Sequence, residues 1–228
     1  SEDGQTLIQP LTSIKGLGES AINQILSNRP FNTVEEFLFN EGITYSKLNK
    51  KALDVLCRSQ TLNCLVDDRF TGLKHFWSTC VVDRPKNEKK FLENLEKYSP
   101  EGEFDDEEKI QYLVDLTGVY PMSLVMDAAL TANLESKSIP RISDYDAELQ
   151  LVWFIPRKII PKKTKNGKDY WIVEVIDDSN NMTRVRCWGV NKDRDMLLTN
   201  HPYLAKLEYS PEWGFSTRSI RHNFRMLA

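Results

Sequence analysis

Ile14-Lys15-Gly16-Leu17-Gly18 is the stretch of this 228-residue chain best suited to holding a charged ligand. Two glycines one residue apart let a backbone turn tightly and come close to a partner, and an apolar helical face begins at Ala21-Ile22. Amides at such a turn, and in the first turn of the helix after it, lack helical acceptors and point outward, which suits a phosphate. Lys15, Gly16, Leu17, Gly18 and Ser20 are therefore the candidate phosphate contacts, with Leu17 also plugging the two flanking helices together.

A second candidate set lies in the last third of the chain. Strand alternation puts Arg184, Arg186 and Trp188 on one face of a strand over Met182–Trp188, and Trp171, Val173 and Val175 on one face of a strand over Tyr170–Ile176. Rings on which bases stack, beside guanidinium groups that meet phosphates, suit single-stranded nucleic acid. Lys162, Lys163, Lys165 and Lys168, in the turn before Tyr170, would extend that groove. Trp171 and Trp188 fit a buried core as well, and the lysines fit a protected sheet edge. Charge points the same way: residues 1–100 are neutral, residues 101–150 carry −9 and residues 151–228 carry +6, within a total of −3.

Catalytic constellations are missing. Asp144-Tyr145-Asp146 and Asp193-Arg194-Asp195 are paired carboxylates, but they fall in a linker and in a loop, away from any palm-like sheet that could hold two metal ions. Cys57, Cys64, Cys80 and Cys187 form no CxxC and His75, His201 and His222 lie far from them, so no zinc site is expected. Cys57, Cys64 and Cys80 sit among apolar residues and read as buried free thiols. No catalytic residue, metal or cofactor is expected in the chain itself. No window reaches the roughly 18 apolar residues of a membrane span, and Ser1-Glu2-Asp3-Gly4 is no secretory leader, so the expectation is a cytoplasmic protein with no membrane partner. A start without Met, with motif-bearing sequence from Thr6, is expected of a piece of something longer.

The elements that must position these residues are legible from hydrophobic period. Short helices are predicted between Gln9 and Leu65, then over Asp67–Val81, Asn87–Tyr98 and Asp105–Lys137, the last broken at Pro121, with the acidic run Glu101–Glu108 opening it. After Pro140 the period changes. Strands are predicted over Leu149–Ile160, Tyr170–Ile176, Met182–Trp188, Tyr203–Tyr209 and Gly214–Arg218, with Asn166-Gly167 marking the first hairpin and Met196–Asn200 a loop or short helix. The reading is α+β: an all-α N-terminal domain followed by a five-stranded antiparallel β-barrel of the OB type. The predicted blocks are 1–82, 83–143 (a helical linker) and 144–228.

The Gly-apolar-Gly turn and the apolar helix behind it make the helix-hairpin-helix pattern, which grips a nucleic acid backbone without reading sequence. Together with Pro30-Phe31, Val34-Glu35-Glu36-Phe37-Leu38, Lys47–Leu53 and Thr61–Leu65, it resembles the segment after the fingers in the alpha subunit of bacterial DNA polymerase III, the family C replicative polymerases. Glu107–Ile110 into Leu116-Thr117-Gly118-Val119-Tyr120 resembles that family's linker. Ile159-Ile160, Thr164–Lys168, Val173–Asp178 and Val185–Trp188 resemble its OB domain. The resemblance implies a tandem helix-hairpin-helix holding double-stranded primer-template, its second unit degenerate because no Gly-x-Gly precedes Ala52. It also implies an OB domain holding single-stranded DNA. The parent would be a DNA-directed DNA polymerase, a nucleotidyltransferase whose Mg²⁺ belongs to a palm domain outside this chain, in a bacterial or phage-infected cell. The linker turn lacks the His-Pro often found there, and no clamp-loader-recruiting domain follows the barrel; a divergent, phage-encoded member fits both.

Gln150-Leu151-Val152-Trp153-Phe154 resembles the pentapeptide with which the family docks on its sliding clamp, yet it falls inside the first predicted strand and reads as core. Two rival functions stand beside DNA binding. One is a docking module for a sliding clamp or other replisome protein. The other is a helix-hairpin-helix DNA glycosylase, for which Phe31–Phe39 lacks the Gly-Pro-Asp arrangement.

Overall fold

A computed structural model describes residues 9–99 and 102–227. The expectations placed on Ser1–Gly4, Thr6 and Glu101 lie outside these residues. Packing divides the chain into two units, one up to Tyr120 and one from Pro121 onward, so the segment 83–143 is shared between them.

The first unit is helical. A 3-10 turn, Leu11–Ser13, precedes α1 (Glu19–Asn28), α2 (Val34–Phe39) and α3 (Lys50–Arg58). Then come α4 (Leu73–Trp77), which runs on into a π-helical turn over Ser78–Val82, α5 (Glu88–Lys97) and α6 (Asp106–Thr117). Side-chain caps explain where most of these start. Thr33, Asn49, Asn87 and Asp105 each accept an amide of the first turn, and Asp105 and Glu108 form a reciprocal capping box. One core built on Val34, Phe37, Leu48, Leu53, Leu56, Leu73, Phe76 and Phe91 holds the helices together.

Two helical expectations change. The helix predicted from Asp67 begins only at Leu73, because Gly72 is pressed against Gly102: a Cβ at Gly72 would lie 2.6 Å from the Gly102 carbonyl carbon. The long helix predicted over Asp105–Lys137 ends at Thr117, where Gly118 turns left-handed at φ 75°, three residues ahead of Pro121. Its remainder becomes α7 (Ala128–Ser136), capped by Asp127 and belonging to the second unit.

That second unit is a curled sheet: β1 (Leu151–Lys163), β2 (Asp169–Ile176), β3 (Met182–Trp188), β4 (Tyr203–Lys206), β5 (Glu208–Ser210), β6 (Gly214–Thr217) and β7 (Phe224–Met226), with the short helix α8 (Ile220–Asn223) before β7. The order is β5-β6-β3-β2-β1-β4-β7. Seven strands among the described residues replace the five predicted. The run Tyr203–Tyr209 breaks in two at Leu207, whose N–H donates to Gln150 carbonyl at 2.8 Å, and β7 follows where no strand was predicted. Nor is the sheet wholly antiparallel, since β6 runs parallel to β3. β1 is long enough to serve two neighbours. Leu151–Phe154 pair with β4, Ile155–Lys163 pair with β2, and the register shifts between Pro156 and Lys158. Alternation buries Val173, Val175, Val185, Cys187, Ala205 and Phe154 on the inner face.

Candidate nucleic-acid interface

The turn between the 3-10 arm and α1 is held from behind. Ile14, Leu17, Ala21 and Ile22 are buried in the helical core, and the Lys15 N–H donates to the carbonyl of Leu116 in α6 at 2.8 Å. The hairpin's first arm is thus a single 3-10 turn among the described residues, where a helix was expected. Leu17 is only 9% exposed and its N–H donates to the Ile14 carbonyl, so its side chain plugs the core and its amide is already engaged. Lys15, Gly16, Gly18 and Ser20 are all exposed.

Gly16 and Gly18 do different work. Gly16 stands at φ 85°, the left-handed region where a side chain is strained. Gly18 is the N-cap of α1 in ordinary extended backbone at φ −76°, and a Cβ there would meet nothing within 4 Å. Among the described residues the fold therefore leaves Gly18 free to carry a side chain, with open surface over it. Because glycine has no capping side chain, the amides of Glu19 and Ser20 have no acceptor among the described residues. α3 offers a contrast: its N-cap Asn49 covers the Ala52 amide with its own side chain at 3.0 Å. Where the second hairpin unit was expected, α3 thus starts as a side-chain-capped helix, with Lys50 and Lys51 exposed in its first turn.

On the second unit, the register sets Tyr170 opposite Trp188, Ile172 opposite Arg186, and Glu174 opposite Arg184. The predicted set divides. Trp171 is 9% exposed and packs in the inner core, a correction to its place in the groove: its neighbours in the strand alternate, and the inward face is the one it shares with Val173 and Val175. Trp188 is half-buried and stacks on Tyr170, with centroids 4.8 Å apart. Arg184 is exposed but committed to Glu174 at 2.8 Å. Arg186 lies 5.9 Å from the centre of the Trp213 ring. Lys162, Lys163, Lys165 and Lys168 are exposed in and around the first hairpin. Lys163 sits 3.7 Å from Asp169, which Lys192 binds at 3.1 Å, so these lysines hold the Asp169 carboxyl below its ordinary value.

Arg184, Arg186, Tyr209, Trp213 and Phe215 line one cavity of about 630 Å³, and Tyr209 and Trp213 are more than half exposed. The sequence reading missed these three aromatics. Their signal was a tryptophan in the polar turn Ser210–Gly214, but only the parallel pairing of β6 with β3 brings that turn to Arg186. Tyr209 and Phe215 pack with Tyr145, at centroid distances of 6.1 and 5.1 Å, and with each other at 5.0 Å, and continue the aromatic surface into a neighbouring cavity of about 500 Å³.

Residues 1–72 match the family model of the helix-hairpin-helix motif. The described part of the match takes in the Gly16–Gly18 turn and α1 to α3, and the motif supports DNA binding by this part of the chain. No curated protein matches the chain.

Elsewhere, Asp144 is paired with Arg141, and Asp195 accepts the Asn191 amide at 2.7 Å. Among the described residues no group of three or more His, Cys, Asp or Glu could hold a metal ion, and no helix is long and apolar enough to cross a membrane. Val152, Trp153 and Phe154 of the clamp-like pentapeptide are buried in β1. Cys57, Cys80 and Cys187 are buried, and burial pushes the Cys187 thiol up to about 12. Cys64 is exposed, against expectation, because its 3-10 turn over Asn63–Leu65 sends Leu65 inward instead.

Proposed function

We propose that this chain is the DNA-gripping C-terminal part of a family C replicative DNA polymerase, and that it binds without itself catalysing. The helix-hairpin-helix domain takes the primer-template duplex by its backbone, and the second unit is an OB-type barrel taking single-stranded template. The observation that carries the reading is the uncapped start of α1: open space over Gly18, unpaired amides at Glu19 and Ser20, and Lys15 beside them. The barrel assignment is supported by a parallel β3–β6 pair, and by β4 and β5 being one run of chain that borders β1 at one end and β6 at the other. The basic surplus of residues 151–228 favours an anionic ligand there. A palm domain holding Mg²⁺, a cytoplasmic setting and a sliding clamp as further partner belong to the same proposal.

Titration of a fluorescent primer-template tests it. Backbone gripping gives a Kd on the order of 10⁻⁴ to 10⁻⁶ M near physiological salt, little sequence preference, and an affinity that falls with salt by roughly 0.9 log units per decade for each neutralised phosphate. A flat salt titration, or strong preference for one sequence, overturns the duplex reading. Nucleotide incorporation by the purified chain overturns its non-catalytic part.

A further inference from the structure

The first unit holds a second concave site that the hairpin does not use. A cavity of about 500 Å³ opens between the segment following α2 and the residues that lead into α5. One wall is apolar, from Leu38, Phe39 and Ile43; the other carries Arg84, Lys86 and Lys89.

Arg84 is the unusual residue. It is only 7% exposed, yet no carboxylate pairs with it among the described residues. Asp83, next to it, is engaged by Lys97 at 3.0 Å and Lys90 at 3.6 Å. The guanidinium lies 4.0 Å over the Tyr45 ring and gives one hydrogen bond, from Nη1 to the Tyr45 carbonyl at 2.9 Å. That bond accounts for one of five N–H donors. Nε is buried with no partner among the described residues. A buried cation with unmet donors and no counter-charge is costly unless something completes it. Burial alone already draws its proton affinity down.

The surroundings say what would complete it. α5 begins at the same cavity. Asn87 caps the Lys90 amide at 2.8 Å, leaving the amides of Glu88 and Lys89 without acceptors among the described residues. Three cationic side chains and a helix start face one carboxylate, that of Glu88. The balance suits a dianion better than a singly charged backbone diester, and the apolar wall offers a surface for a ring attached to it.

We propose that this cavity binds a phosphate monoester carrying a nucleoside, with the phosphate on Arg84 and the α5 start and the base or sugar against Leu38, Phe39 and Ile43. The same chemistry is presented by a free nucleoside monophosphate and by the 5′-phosphate end of a DNA strand.

Isothermal titration of the full chain with dTMP, with thymidine, and with one short single-stranded oligonucleotide bearing either a 5′-phosphate or a 5′-hydroxyl tests this. The expected result is binding of at least one phosphate-bearing ligand, tighter by about tenfold or more than its phosphate-free counterpart, as one or more charge-assisted hydrogen bonds imply. dTMP binding identifies the free nucleotide as a source, and an oligonucleotide preference without dTMP binding identifies the strand end. Arg84→Met should lose the difference. Should that variant fail to fold, Lys86→Ala/Lys89→Ala, which alters only exposed side chains, should reduce it several-fold with an unchanged circular dichroism spectrum. Gly18→Ala should leave it intact, which separates this site from the hairpin. Equal affinity for phosphorylated and unphosphorylated ligands, or a preference that survives both Arg84→Met and the lysine double substitution in folded protein, overturns the proposal.

Discussion

The backbone N–H of Lys15 donates to the carbonyl of Leu116, 101 residues further along the chain, so the Gly16–Gly18 turn is pinned by the last turn of α6. α6 lies outside the residues that match the helix-hairpin-helix motif. Lys74 adds an ion pair to Glu108 at 3.2 Å, and Tyr112 and Leu116 pack on the helical core. A piece ending at residue 72 is therefore expected to show no cooperative thermal unfolding, whereas one ending at Tyr120 should. A sharp melt of the shorter piece at the temperature of the longer one would make α6 dispensable.

Gly16 and Gly18 should separate stability from binding. Alanine at Gly16 enters left-handed backbone and should cost about 1–2 kcal/mol. Alanine at Gly18 meets nothing among the described residues and, as a poorer N-cap in ordinary backbone, should lower the melting temperature less than alanine at Gly16 while weakening duplex binding roughly tenfold, by blocking approach to the α1 amides. Thermal melts paired with duplex titrations check both, and unchanged duplex affinity in Gly18→Ala would remove α1 from the interface.

On the barrel, Trp213→Ala and Arg186→Ala should each weaken oligo-dT binding, the tryptophan by about 1–3 kcal/mol if one base stacks on it. Glu174→Gln should strengthen binding, because it releases Arg184 from its 2.8 Å partner. Fluorescence anisotropy with oligo-dT measures all three. If none changes affinity, the barrel face is not a single-strand site.

Acid should act through Arg69. Its hydrogen bonds hold the Glu35 and Asp67 carboxyls below their ordinary values of 4.5 and 3.8. A carboxylate lowered on folding contributes stability that is full above its ordinary value and lost as pH falls through the lowered one. The gap in melting temperature between the unsubstituted chain and Arg69→Met should thus be widest near pH 7 and shrink on acidification below about pH 4.5. A gap constant from pH 7 to pH 3 would show that the arginine acts by packing over Phe91, 5.2 Å away, rather than by charge.

What could be read in advance was local. The acidic run ending at Glu108 marked the start of α6, Asn166-Gly167 marked the first hairpin, and the alternation of Val, Ile and Trp marked β2 and β3. The two glycines of the hairpin were visible too, though not that one serves the fold and the other leaves space. What escaped depends on distant partners. Gly72 shortens a helix only because Gly102 comes against it. Alternation placed Trp171 and Arg186 on faces of their strands, but which face turns inward is decided by how the sheet curls. Arg84 carries no motif at all; its isolation shows only once Asp83 is seen paired elsewhere.

Leu207 alone separates β4, which pairs with β1, from β5, which pairs with β6 at the far flank of the sheet. Two remote parts of the sheet, the edge strand β5 and the inner strand β4, are thus stitched by a peptide chain rather than by a ladder of hydrogen bonds. With one residue between them, neither strand can peel away without dragging the other. A single proteolytic cut between Lys206 and Glu208 would turn the curled sheet into an open ribbon with loose strand edges, the form in which sheets recruit one another and aggregate.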